Sequence, residues 1–233
     1  MTVVLVLNGG RVQPLDGYTK PMPTRTTLGF RVHSGWSAVV AVEGPPRSPS
    51  VIHRARIEIR DAAMDGSAQP YHQAAEMSLD SAGKFLERCT AASRKIAGSA
   101  LDEVLTAMRE RDYEVVCCGI LMGSGRKLPD LAGTLASHAL IHTAEGEFFR
   151  AVVKHACEQH SLRVIGVPEK EVWTRAPAVL KTTEDALRRE IAEIGKRIGP
   201  PWTQDEKHSA LVAWMALAAS AALAEPRVSA SGH

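Results

Sequence analysis

The segment LASHALIHTAEGEFFR, residues 135–150, holds His138, His142 and Glu145 among apolar neighbours. Imidazole and carboxylate together can ligate a transition metal, and histidine can also exchange protons near neutral pH. Leu135, His138, His142, Glu145, Phe149, Val152 and Ala156 follow one another in alternating steps of three and four, which is one face of a helix. Half of that face is an apolar stripe suited to a core. The other half carries the three titratable groups. The H-x-x-x-H spacing lacks the glutamate that H-E-x-x-H metalloproteases place between their histidines. Three readings fit the pattern: a buried hydrogen-bond network that fixes packing, a functional pocket without metal, and a metal site.

A second polar pair extends an apolar stripe near the C-terminus. In DEKHSALVAWMALA, Asp205, His208, Val212, Met215 and Ala219 share one helix face. Thr203 precedes them with Glu206 three residues on, the signature of a capping box. GSGRK (123–127) offers backbone N–H groups and Lys127 to an anion. It lacks the full phosphate-loop pattern and reads first as a strand-to-helix loop. Arg54, Arg56 and Arg60 lie along one face of VIHRARIEIR, interrupted by Glu58, as a solvated sheet face or a phosphate-backbone contact. Pro200-Pro201-Trp202 reads as a turn between helices, with Trp202 as an apolar plug.

These residues need a scaffold. Strand-like runs at 27–33, 36–44 and 51–61 are separated by short turns, which predicts an antiparallel meander. Residues 70–110 are rich in Ala, Leu, Glu and Arg and read as helical, with Gly83 and Gly98 as interruptions. Apolar runs at 113–123 and 162–168 have the length of strands buried on both faces. Helices follow at about 131–160, at 182–201 with a stop at Gly199-Pro200-Pro201, and from Thr203 onward; EKEVWTRA adds one helical turn. Three antiparallel strands followed by alternating helix and strand predict a mixed sheet flanked by helices.

The chain has 233 residues, 45% of them hydrophobic, enough for one large core. The expected organisation is an N-terminal arm or loop over 1–26, a single domain over 27–224 and a C-terminal tail over 225–233. With 28 Lys+Arg against 26 Asp+Glu there is no global basic field. Cys89, Cys117, Cys118 and Cys157 show no C-x-x-C spacing; they are expected to be reduced and buried, as in a cytoplasmic protein, which argues against a cysteine zinc site. MTVVLVLNGG lacks the basic start and cleavage site of a signal peptide, and ALVAWMALAASAALA (210–224) is short for a membrane span, so no membrane partner is expected.

The order of elements resembles the ribonuclease H-like fold, and within it the RuvC-like branch. LGFRVHSGWSAVVAVEG (28–44) looks like the first hairpin and YEVVCCGILMGSG (113–125) like the fourth strand. SHALIHTAEGEFFRAVVKHACEQHSLRVIGVPEKEV (137–172) is similar to the helix–strand–turn unit that follows, and DEKHSALVAWMALA (205–218) to the closing helix. The resemblance implies an α/β fold: a ribonuclease H-like mixed sheet, three antiparallel strands then parallel strands, flanked by helices. In active nucleases of this fold the first strand carries an Asp; here that place is His33. The fourth strand there ends near a Glu; here it reads Gly119-Ile120-Leu121-Met122-Gly123. Only the last motif keeps carboxylates, Asp205 and Glu206. Two-metal cleavage needs several carboxylates converging on hard cations, and two of three expected donors are absent.

The resemblance would also bring both helix starts near the end of the first strand. The expected site is then His33, His138, His142, Glu145, Asp205 and His208, with His138, His142 and Asp205 as ligands for a divalent metal if one is bound. The leading expectation is a ribonuclease H-like protein whose His-rich pocket replaces the acidic nuclease site, with nucleic acid as the implied partner. One alternative is an active metal-dependent nuclease or phosphodiesterase using Glu145, Asp205 and Glu206 with the histidines. The other is a scaffold that forms a homodimer through the sheet edge or the Ala-rich last helix.

Overall fold

The computed structural model describes residues 22–224, together with two short strands, β1 (Leu7–Asn8) and β2 (Arg11–Val12), which pair antiparallel. Most of the expected arm over 1–26 and all of the tail over 225–233 lie outside the described residues. β3 (Thr24–His33), β4 (Trp36–Glu43) and β5 (Ser50–Glu58) form the antiparallel meander. β6 (Tyr113–Met122) pairs parallel to β3, and β7 (Arg163–Pro168) parallel to β6, giving the order β5-β4-β3-β6-β7. This is the ribonuclease H-like mixed sheet expected from the sequence.

Two helical layers cover it. On one face Leu28, Phe30 and Val32 of β3 pack with Leu101 and Met108 of α2 (Leu79–Arg109) and Phe149 and Val152 of α4 (His138–Gln159). On the other, Val40, Val42, Leu121 and Val167 pack with α5 (Val172–Leu180), α6 (Glu184–Ile198) and α7 (Gln204–Ala224). The period-two alternation of β3 therefore sends Phe30 and Val32 to the α2/α4 side, and Gly29, Arg31 and His33 to the α7 side.

The last helix explains two glycines. Gly29 and Gly119 are partners across β3 and β6. A Cβ on Gly29 would lie 1.9 Å from the Ser209 carbonyl oxygen, and one on Gly119 would lie 2.5 Å from that of Val212. Only glycine lets α7 lie this close to the sheet. Residues 208–217 of α7 are buried all round, as a helix with no polar face must be. The Ala-rich end of the helix, residues 218–222, is intermediate or exposed. The four cysteines are free and buried. No helix among the described residues is long and apolar enough to cross a membrane.

Boundaries differ from the sequence reading in three places. The break in 70–110 falls at 76–78, between α1 (Pro70–Ala75) and α2, and α2 runs through Gly83 and Gly98. Its buried stripe from Phe85 to Met108 outweighs the cost of two glycines, about 1 kcal/mol each. The helix expected at 131–160 is split into α3 (Leu131–Leu135) and α4, because Ser137 is extended. A bulge opposite Ala41/Val42 breaks the alternation of β5, so Ile52 packs on the same α2 side as Ile57, five residues on, and Val51 packs on the α7 side.

Candidate functional site

The six residues expected to form one pocket fall into two groups. His33, Asp205 and His208 meet on the α7 side of the sheet. His138, His142 and Glu145 lie at the start of α4, which packs on the opposite side. The single-pocket geometry is corrected: the sheet lies between the helices that carry the two halves.

On the α7 side, the capping box places Asp205. The Thr203 N–H donates to Glu206 Oε2 at 2.7 Å, and the Asp205 N–H donates to Thr203 Oγ1 at 3.2 Å. Glu206 is thereby a helix cap. Asp205 accepts from His33 Nε2 at 2.8 Å and from the Arg31 guanidinium. Arg31 also donates to Glu169 Oε1 through Nε at 2.8 Å and through its terminal nitrogen at 2.7 Å. One fixed cation thus bridges a carboxylate at the start of α7 and another just past the end of β7. His33 stacks on Trp36 at 4.2 Å between ring centroids, and Arg56 lies 4.0 Å over the same indole. Burial pushes the Asp205 carboxyl up, but the hydrogen bonds and charges of His33 and Arg31 outweigh it and hold the group below the usual carboxylate range.

His208 is held differently. The Trp173 indole N–H donates to His208 Nε2 at 3.0 Å, which leaves the ring proton on Nδ1. His208 Nδ1 is buried with no hydrogen-bond partner, and Glu169 Oε1 stands 3.9 Å away, beyond bonding length. Burial, then the Arg31 charge, lowers the His208 pKa against the opposing pull of Glu169 and Asp205. His208 forms part of the wall of a cleft of about 860 Å³ at the C-terminal ends of the parallel strands, with Gly123, Ser124, Arg150, Glu169, Lys170, Trp173, Arg188 and Lys207. Arg150 Nε is a second buried N–H without a partner. Arg188 pairs with Glu184 and covers Trp173, whereas Lys170 and Lys207 have no acidic partner among the described residues.

This arrangement has a definite chemical range. Hard-cation sites need converging carboxylates. Here the Arg31 guanidinium already bridges Asp205 and Glu169, Glu206 caps α7, and Glu145 is across the sheet. The acidic trio Glu145, Asp205 and Glu206 does not converge. What remains is an imidazole oriented by a carboxylate, His33 on Asp205, and a cleft rich in N–H donors. Arg54 is no phosphate contact: it donates to the carbonyls of Ile198, Gly199 and Pro200 at 2.7–3.2 Å and caps the end of α6.

The α4 group centres on Glu145, 3% exposed. Its carboxylate accepts from the Tyr71 N–H at 3.0 Å and from His72 Nδ1 at 2.7 Å. His72 lies 5.6 Å from His138 and 4.7 Å from His142 between centroids, and His138 and His142 are 4.4 Å apart. One nitrogen from each of the three rings lies within 4.8 Å of the others. His138 and His142 are exposed, so they are not part of a buried hydrogen-bond network. The six-residue α1 packs against this part of α4 and brings His72.

No family model and no curated protein matches the chain. Solved structures do. The chain is similar to RuvC of Thermus thermophilus, at 12% identity and a TM-score of 0.47 over 84% of this chain and 96% of that one. It is also similar to T. thermophilus RuvC in complex with Holliday junction substrate, at 9% identity and 0.48 over 85% and 96%. The likeness concerns fold, and the site residues are read from this chain alone.

Several of them escaped the sequence reading. Arg31 had a signal, since it lies two residues before His33 on a strand and so shares its face. Glu169 had another, because the first residue after a parallel strand faces the crevice where ligands bind. His72 and Trp173 had none: each comes from a separate helix brought in by tertiary packing.

Proposed function

We propose that the cleft on the α7 side binds nucleic acid through its phosphates and does not cleave it by a two-metal route. The observation that carries this reading is the pair of lysines, Lys170 and Lys207, that have no acidic partner among the described residues and line the cleft beside Arg150, Arg188 and His208. Phosphate oxygens are acceptors that also answer this charge. Gly123 and Ser124 bring the GSGRK segment to the same rim, where Arg126 and Lys127 follow. Arg31 supports the non-cleaving half of the reading, because it pairs with both Glu169, which lines the cleft, and Asp205, while Glu171 of the cleft wall pairs with Arg175.

The test is fluorescence anisotropy with labelled single-stranded, duplex and four-way-junction DNA. Binding should weaken steeply between about 50 and 200 mM salt. Lys170→Glu combined with Lys207→Glu should cost tenfold or more in affinity and reduce the salt slope by about two. Incubation with magnesium or manganese should leave the DNA intact. Affinity indifferent to the double variant would remove the cleft from the reading. Turnover in magnesium that disappears in Asp205→Asn would establish the metal-dependent nuclease in its place.

A further inference from the structure

We propose that His72, His138 and His142 form a three-histidine site for a divalent transition metal, with zinc the best fit and Glu145 as the carboxylate that supports it. The site uses none of the residues that line the cleft.

The local geometry starts with α4. His138 and His142 are four residues apart, one turn, on an exposed part of its surface. α1 lays His72 against both. The rings are tilted by 67–83° to one another rather than stacked, and no hydrogen bond joins them among the described residues. Packing alone gives no reason to gather three imidazoles at an exposed surface, because each ring would be better hydrated apart.

Glu145 supplies the second observation. Its buried carboxylate takes the Nδ1 proton of His72 in a hydrogen bond, and the Tyr71 N–H holds the other oxygen so that the carboxylate cannot turn. That hydrogen bond occupies Nδ1 and leaves Nε2 as the ring nitrogen free to act as a ligand. A carboxylate behind a histidine ligand is the usual outer support of such metal sites, and it makes the imidazole a stronger donor. An all-nitrogen set selects zinc, copper or nickel over magnesium and calcium, which take oxygen. In a tetrahedral zinc site, with bonds of about 2.0–2.1 Å, ligand nitrogens stand about 3.3 Å apart. The three nitrogens, within 4.8 Å of one another, need to close by at most about 1.5 Å, which small rotations of exposed side chains supply. Three protein ligands leave a fourth position on the solvent side for water or a small anion, as in open zinc sites and unlike closed structural ones.

The experiment uses the full, tag-free chain stripped of metal by a chelator. It is titrated with zinc by calorimetry and with cobalt by visible absorption. One equivalent of each should bind, and cobalt should show the bands of a tetrahedral, nitrogen-ligated ion. His138→Ala and His142→Ala, both at exposed positions, should abolish that one-equivalent step. Glu145→Gln should keep the stoichiometry and lower affinity about 10–100-fold. His33→Ala and His155→Ala should bind as the parent does, with circular dichroism confirming that every variant is folded. No one-equivalent binding of either ion, or a step that survives the His138→Ala/His142→Ala double variant, would overturn the site. Oligonucleotide binding does not read on this outcome, so the two proposals fail separately.

Discussion

On the α7 side of the sheet, two carboxylates share one guanidinium and one imidazole; at the start of α4, three imidazoles share one carboxylate. The difference lies in who supplies the cation. Asp205 and Glu169 have theirs built into β3, so their charge is met within the chain. At α4, the single carboxylate is occupied by His72, and the rings of His138 and His142 have no hydrogen-bond or ion-pair partner among the described residues. Both groups stand where helix starts meet other elements. Yet the first is a paired network beside a donor-rich cleft, and the second is a donor set lacking its acceptor. On the two proposals, the same two side-chain types would serve anion binding in one place and cation binding in the other.

Removing Arg31 breaks the comparison most sharply. Arg31→Met strands two partly buried carboxylates against each other. A loss of about 2–3 kcal/mol is expected, less than for a fully buried ion pair because both acids keep some contact with solvent. The check is the urea midpoint at unchanged slope, with and without millimolar magnesium. Magnesium should restore part of the loss in Arg31→Met and do nothing for the parent. A variant as stable as the parent would mean that Arg31 is not the charge that Asp205 and Glu169 depend on.

Glu145 and His138 sharpen it next. Glu145→Gln keeps the shape but loses the charge in both hydrogen bonds, and one amide edge then faces a donor. It should cost about 1–2 kcal/mol in the metal-free protein. His138→Ala, at an exposed position, should change stability by less than about 0.5 kcal/mol. Equal midpoints for the two would show that Glu145 is not a core anchor. Glu145→Gln melting above the parent would mean that the carboxylate is held there at the expense of stability.

The smallest effect is a pH dependence. The folded-state pKa of His208 is lowered from its ordinary value near 6.5 by burial, by Arg31 and by Arg188, against Glu169 and Asp205. The unfolded chain therefore binds this proton first. The contribution is fully present above about pH 6.5 and is lost as pH falls from there through the folded value. His208→Gln should flatten this part of a stability–pH curve. Asp205, lowered from 3.8, acts in a separate and more acidic window, its contribution lost as pH falls through the folded value. A parent curve without slope below pH 6.5 would contradict the buried neutral imidazole.

Particular residues show how much was legible beforehand. The meander at 27–61 and the buried runs at 113–123 and 162–168 could be read because side-chain period and turn residues are local signals. The capping box of Thr203 and Glu206 was legible for the same reason: both partners lie within one turn. Local signals also put His138, His142 and Glu145 on one helix face. They could not tell that only Glu145 is covered, because what covers it is α1, more than sixty residues earlier in the chain.

By itself the sequence determined the order of elements, the mixed sheet that the order implies, and the donor types at helix starts and strand ends. Those follow from hydrophobic period, turn chemistry and capping, which act over a few residues. Tertiary structure alone decided which donors meet. The alternation of β3 turns Arg31 and His33 toward α7, while α4 packs on the other face, so the sheet separates two histidine groups that look alike in the sequence. A sheet with a helical layer on each face has two sides that one-dimensional spacing cannot distinguish, and the charge each group meets is set by the side it is on.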